Sequence, residues 1–188
     1  MPLAQKENQK YTYEDYLTWP DDQRWEIIAG VAYNMTREPM IKHQAISNNL
    51  GVFLFNELCL INRDYRVFFA ATDVIFDENN IVQPDVFVVC DRSIITKENI
   101  KGAPDIIIDI TSPSNDLMYR QEKKQLYETY CVKEYMVFYP EERFVERFVC
   151  ENNRYGAPDV FNWDEMVRIK TLDLGINLWE VFEKERVA

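Results

Sequence analysis

Two acidic residues stand where a charge needs a reason. Asp85 directly follows Pro84 and leads into the apolar run Val86–Cys90 (VFVVC), while Asp109 lies inside Ile106–Ile110 (IIIDI), otherwise all isoleucine. Continuous β-branched runs of this kind suit central strands covered on both faces. An unpaired carboxylate there is very costly. If the two strands are neighbours, the carboxylates converge at one edge of the sheet. They then form an oxygen-rich site suited to Mg²⁺ or Mn²⁺, ions that take few protein carboxylates and keep bound water. The alternative for Asp109 is a side chain turned to solvent or paired with one basic residue, since aspartate is mostly exposed in folded proteins.

Chemistry at a phosphoryl group also needs a cation to offset developing negative charge, and lysine supplies a compact one. The stretch Asp116–Tyr130 reads as a helix and offers Lys123 and Lys124. With Leu126 as its core direction, steps of about 100° per residue bring Tyr119 and Tyr130 within roughly 40° of the core. Lys123 falls about 60° from that direction and Lys124 about 160° away, in solvent. Only Lys123 can then reach the sheet edge where IIIDI ends; its alternative is to lie along the helix border with its ammonium in water.

The elements that must hold these residues follow from local pattern. Thr12–Leu17 carries a capping-box-like pairing of Thr12 with Asp15 and starts a short helix that Pro20 stops. Trp25–Tyr33 reads as a hairpin turning near Gly30. Ile41–Asn62 is expected to be a long helix, with Ile46, Leu50, Phe53, Leu54 and Leu58 on its buried face. Strands are expected over Arg66–Phe76, Val86–Cys90, Ile106–Ile110, Glu134–Tyr139, Arg143–Val149 and Met166–Ile169, and a closing helix over Leu178–Glu185. Residues 1–10 read as a polar tail and 11–188 as one domain. The fold class is α/β (α+β), a central mixed sheet flanked by helices.

Composition narrows the chemistry further. The 188 residues carry 21 Lys plus Arg against 32 Asp plus Glu, a net charge of −11, which argues against a surface that attracts nucleic acid throughout but leaves room for a local basic cleft. One histidine removes most zinc chemistry. Five glycines, with no GxG or GxxxxGK[ST], remove the usual phosphate-cradling loops. Cys59, Cys90, Cys131 and Cys150 show no CxxC spacing and sit mostly in apolar runs, so buried free thiols are expected. No apolar run approaches a bilayer span, and a soluble, cytoplasmic protein without membrane contact is expected. Tyr119, Tyr127, Tyr130 and Tyr135 are expected to be core.

Together, Pro84–Asp85, Asp109–Ile110–Thr111, the helix segment EKKQLYETY and the strand segment VKEYMVFYP resemble the PD-(D/E)XK superfamily of restriction-endonuclease-like proteins. More closely, they resemble its bacterial branch of putative restriction endonucleases. The likeness begins at RWEIIAGVAYNMT (24–36) and runs through IKHQAISNNL (41–50), VQPDVFVVCD (82–91) and GAPDIIIDITSPS (102–114) to Pro140. It implies a restriction-endonuclease-like core and a divalent-metal-dependent phosphodiesterase, with Asp85 and Asp109 as ligands of Mg²⁺ or Mn²⁺. It further implies that Glu26 is an accessory ligand or orienting group and that His43 touches substrate or water. The superfamily's lysine two positions beyond the second acid is here Thr111, and Lys123 takes its place. Relatives usually carry glycine at the helix end where this chain has Cys131, which leaves the cap geometry there open.

Read from the residues alone, Glu26 could instead pair with Arg24 or Arg37 at the surface, and His43 could be a helix-start residue without chemistry. The implied substrate is nucleic acid, DNA first, and a homodimer is the expected assembly. Two other functions fit the same fold: a non-catalytic binding module, which the acidic balance favours, and a metal-dependent hydrolase of small phosphate esters. Fold alone does not choose among them.

Overall fold

The computed structural model describes residues 10–20, 22–35, 41–61, 64–112 and 117–183. Helix α1 (Tyr13–Tyr16) opens on the expected capping box, Thr12 with Asp15. The hairpin β1 (Trp25–Ile28) and β2 (Val31–Asn34) turns through Ala29 and Gly30, both at positive φ. Helix α2 (Ile41–Ile61) follows, burying Ile46, Leu50, Gly51, Leu54 and Leu58 at the three-and-four spacing of one face.

The run Arg66–Phe76 is two strands rather than one. β3 (Arg66–Phe69) and β4 (Val74–Asp77) belong to different sheets, and the chain between them changes direction. Next come β5 (Asn80–Val82), β6 (Val86–Val89), a 3₁₀ turn at Arg92–Ile94, β7 (Ile100–Lys101) and β8 (Ile106–Ile110). Helix α3 (Leu117–Thr129) leads to β9 (Glu134–Tyr139), β10 (Phe144–Glu151), β11 (Arg154–Tyr155) and β12 (Asp159–Asn162). The hairpin β13 (Met166–Ile169) and β14 (Leu174–Asn177) and the short helix α4 (Leu178–Val181) close the described chain. The expected tail at 1–10, apart from Lys10, lies outside the described residues, as do Asn62, Asp116 and the last two residues of the expected closing helix.

The larger sheet runs β11-β10-β9-β8-β6-β3, with β12 also on β10; the smaller runs β2-β1-β5-β4-β7. β8 pairs antiparallel with β6 and parallel with β9, so the sheet is mixed and α3 is the crossover that the parallel pair requires. Alternation sorts the central residues. Val86, Val88, Ile106, Ile108, Met136 and Phe138 face α2, α4 and the last hairpin. Phe87, Val89, Ile107, Tyr135 and Val137 face α3 and the smaller sheet. The odd-numbered face of β6 and β8 therefore carries any side chain at 85 or 109 toward α3.

Three further expectations change. The cysteines are free but not buried: Cys59 and Cys131 are exposed and Cys90 and Cys150 half-buried, because Cys59 lies off the Leu54–Leu58 stripe of α2 and Cys131 lies beyond the end of α3. Lys124 is not simply in solvent, since its ammonium sits 4.5 Å from the centre of the Phe148 ring. Tyr130 is half-buried and donates its hydroxyl to Asp77.

The end of α3 answers the question of its cap. Cys131 takes φ +53°, Val132 N–H reaches the Tyr127 carbonyl at 3.0 Å and Cys131 N–H the Glu128 carbonyl at 3.1 Å. This is the paired closure normally built around glycine, here made with a cysteine in the left-handed conformation.

Candidate active site

The register of β6 on β8 sets Val86 opposite Ile108, which puts Asp85 across from Asp109 on the face that looks toward α3. Asp85 is pinned by its own sheet: its Oδ2 accepts the Ile110 N–H at 2.7 Å, and its remaining neighbour is His43 Nε2 at 3.2 Å. His43 stands in the first turn of α2 and reaches Asp85 from there.

Asp109 faces inward rather than to solvent. Its Oδ1 lies 3.1 Å from Lys123 Nζ and its Oδ2 accepts the Tyr135 hydroxyl at 3.1 Å, with the Tyr127 hydroxyl at 3.5 Å. Lys123 Nζ also lies 3.4 Å from Glu26 Oε1. Glu26, on β1, is only 1% exposed and is fully held: Oε1 accepts the Gln83 N–H at 2.8 Å and Oε2 accepts the Tyr119 hydroxyl. Glu26 therefore does not pair with Arg24 at the surface, since Arg24 donates instead to the side chain of Gln83 at 2.9 Å. Arg37 lies outside the described residues. All five residues singled out in the sequence converge on this sheet edge, and of the two lysines only Lys123 joins them.

Sequence reasoning missed the hydroxyls. Tyr119, Tyr127 and Tyr135 are core residues, as their type suggests, yet each aims its oxygen at Glu26 or Asp109. A buried tyrosine must find a partner for its hydroxyl, and that requirement was the one available signal. Burial, with the charges of the nearby carboxylates, pushes all three phenols far above their ordinary pKa, so they remain neutral donors.

The charges are unequal: two carboxylates, Asp109 and Glu26, meet the one buried ammonium of Lys123, while Asp85 adds its charge beside Asp109 and is met by His43. Burial alone would strip the charge from Lys123, but Asp109 and Glu26 outweigh it and hold the ammonium protonated. Asp109 is harder to ionise than a free aspartate, because burial and the charges of Asp85 and Glu26 outweigh the help of Lys123. Burial also opposes a charge on His43, yet the hydrogen bond and charge of Asp85, with Asp109 behind it, hold the imidazole above its usual pKa.

Carboxylate oxygens are the hard donors that a divalent cation takes. Among the described residues no three His, Cys, Asp or Glu side chains are arranged to enclose an ion. An ion bound here would be held by Asp85 and Asp109 with water completing its shell, which is the habit of Mg²⁺. Among the same residues no helix is long and apolar enough to cross a membrane.

The model of the Uma2 family, described as "Putative restriction endonuclease", matches residues 13–179. No curated protein matches the chain. The fold is similar to that of a putative nuclease belonging to DUF820 from Anabaena variabilis, with a TM-score of 0.75 at 21% identity, covering 92% of this chain and 97% of that one.

Proposed function

The chain belongs to the Uma2 family of putative restriction endonucleases, and from that premise we propose that it is a divalent-metal-dependent phosphodiesterase that hydrolyses nucleic acid, DNA first. The observation that carries this reading is Lys123, an ammonium 5% exposed, set between Asp109 and Glu26 beside Asp85 at one sheet edge. A structural ion pair needs one partner; this lysine is surrounded by carboxylates that outnumber it.

In this reading Asp85 and Asp109 hold Mg²⁺ or Mn²⁺. When bound, the ion supplies Lewis-acid polarisation of a phosphate oxygen and makes water more acidic. Lys123 offsets the negative charge that grows on the phosphate as water adds across a P–O ester bond. Glu26 positions Lys123 rather than touching substrate, because both its oxygens are already occupied. His43 stands at the open side of Asp85, 17% exposed, where it can meet water or a substrate oxygen. One domain over 11–188, a cytoplasmic setting and pairing of two copies on a duplex belong to the same proposal.

The net charge of −11 favours a second reading, a non-catalytic module on the same fold. Calorimetry with Mg²⁺ and Mn²⁺ separates the two, on wild type and on the Asp85→Asn plus Asp109→Asn double variant, alongside cleavage of plasmid DNA. Metal binding and metal-dependent nicking that both vanish in the variant support the nuclease. Nicking that survives the double substitution removes the carboxylate pair from the chemistry, and DNA binding without metal binding or nicking moves the module ahead.

A further inference from the structure

Beside the carboxylates lies a cavity of about 390 Å³, a size that takes a small ligand rather than a water cluster. It opens between the start of α2 and the first turns of α3, and its walls include His43, which touches Asp85, and Thr111, two residues beyond Asp109. The cavity thus shares His43 with the candidate active site.

Arg120 is the wall residue that the described contacts leave incomplete. Its Nε is sealed from solvent and has no hydrogen-bond acceptor. Its guanidinium lies over the Tyr139 ring, 5.6 Å from the centroid, and that ring is stacked in turn on Phe144 at 4.2 Å. The Tyr139 hydroxyl donates to Glu146 at 2.7 Å and also interacts with the Arg120 side chain, which leaves Nε as the unmet donor. Of the other basic residues at the cavity, Lys42 is already matched by Glu141 at 2.7 Å and His43 by Asp85 at 3.2 Å. Arg120 therefore supplies a guanidinium charge and, among the described residues, a buried N–H without an acceptor, a costly arrangement unless a ligand completes it.

Arg120 and Lys123 stand three residues apart on α3, hence on neighbouring positions of one helix face. Lys123 turns to the carboxylates and Arg120 lines the cavity. A ligand that spans the carboxylate site and Arg120 carries two anionic groups in sequence, and a planar fork above an aromatic ring suits the bidentate grip of phosphate.

We propose that this cavity is a second phosphate subsite, in which Arg120 grips the phosphate next to the one met at Asp85, Asp109 and Lys123. The ligand is then a nucleic-acid strand of at least two linked nucleotides, and small phosphate esters lack the group that Arg120 awaits. The inference rests on the phosphodiesterase reading for what occupies the carboxylates, but its test is separate.

Calorimetric titration with the dinucleotide TpT, and with TpT bearing an added phosphate at its 5′ or its 3′ end, is run in Mg²⁺ and again in EDTA. For wild type, an added phosphate on one end is expected to tighten binding at least tenfold. Arg120→Ala is expected to lose that gain, while Arg120→Lys, which keeps the charge but not the fork, retains part of it. Circular dichroism confirms that both variants fold. The proposal is overturned if wild type binds none of the three, if the added phosphate brings no gain at either end, or if the gain persists in Arg120→Ala. Failure of the nuclease reading would appear separately, as absent metal binding and absent plasmid nicking in a protein that still shows the Arg120-dependent gain.

Discussion

Replacing Lys123 with methionine tests the electrostatic account of the site most directly, because the two side chains are close in length and only the charge is lost. The ammonium lies 3.1 Å from Asp109 and 3.4 Å from Glu26. At an effective dielectric of about 20, each contact is worth about 5 kcal/mol before the cost of burying the ion is subtracted. Desolvation takes back several kcal/mol, and breaking a buried pair on one side typically costs about 3–5 kcal/mol because the orphaned charge stays behind. Here the orphaned charges repel one another. Lys123→Met should therefore destabilise the protein by about 3–5 kcal/mol in metal-free buffer. With a urea m-value of about 2.5 kcal/mol/M, the midpoint falls by about 1–2 M. Adding Glu26→Gln removes one of the stranded charges and should restore about 1–2 kcal/mol, since residues in one network couple rather than add. Saturating Mg²⁺ should stabilise the single variant more than wild type. Urea unfolding followed by tryptophan fluorescence reads all three. A midpoint shift below about 0.4 M for Lys123→Met, or a double variant no more stable than the single, would refute the claim that the ammonium holds the carboxylates together.

Three further outcomes follow from other parts of the molecule. Cys131→Gly should raise stability by about 0.5–1 kcal/mol, because glycine takes the left-handed cap conformation without steric cost; a thermal melt shows this as a Tm gain of about 2 °C, and a lower Tm would contradict it. Burial, with the charge and hydrogen bonding of Asp105, pushes the Cys90 thiol up to about 12, so at pH 8 a thiol-labelling reagent should modify Cys59 and Cys131 well before Cys90, read by peptide mass spectrometry. Burial alone would raise the Asp77 carboxyl, but hydrogen bonds from Tyr130, Asn79 and Asn80 outweigh it and hold the pKa below its ordinary value. A depressed carboxylate stabilises the fold above its unfolded pKa, and that contribution is lost as pH falls through the folded one. Asp77→Asn should accordingly show a shallower loss of stability between pH 5 and pH 2 than wild type, and parallel curves would argue against it.

Much of this site could be read from residue order because the physics involved is local. A carboxylate inside IIIDI is conspicuous whatever surrounds it, and the helical wheel separates Lys123 from Lys124 using Leu126 alone. The two sheets were harder. β5 and β7 are three and two residues long, too short to show any periodicity, and the Arg66–Phe76 run looks uninterrupted because its break depends on which sheet each half joins. The tyrosine hydroxyls were hidden for a related reason. Their types announce packing or solvent, and only the register of distant strands reveals where their polar atoms point. Thr111 marks the opposite case, in which the position that resemblance reserves for a cation is empty of one, and the ammonium beside Asp109 comes from the crossover helix.

That division of labour has a consequence for the newborn chain. Lys123 and Glu26 are 97 residues apart in sequence, and β8 must wait for β9 to gain its parallel neighbour. A ribosome adding about 5–20 residues each second exposes all three carboxylates before the helix that carries their counter-charge has emerged. The half-made polypeptide holds the three acids without the ammonium of Lys123 to gather them. The assembled site is thus withheld until translation has passed α3 and the two sheets have closed around it.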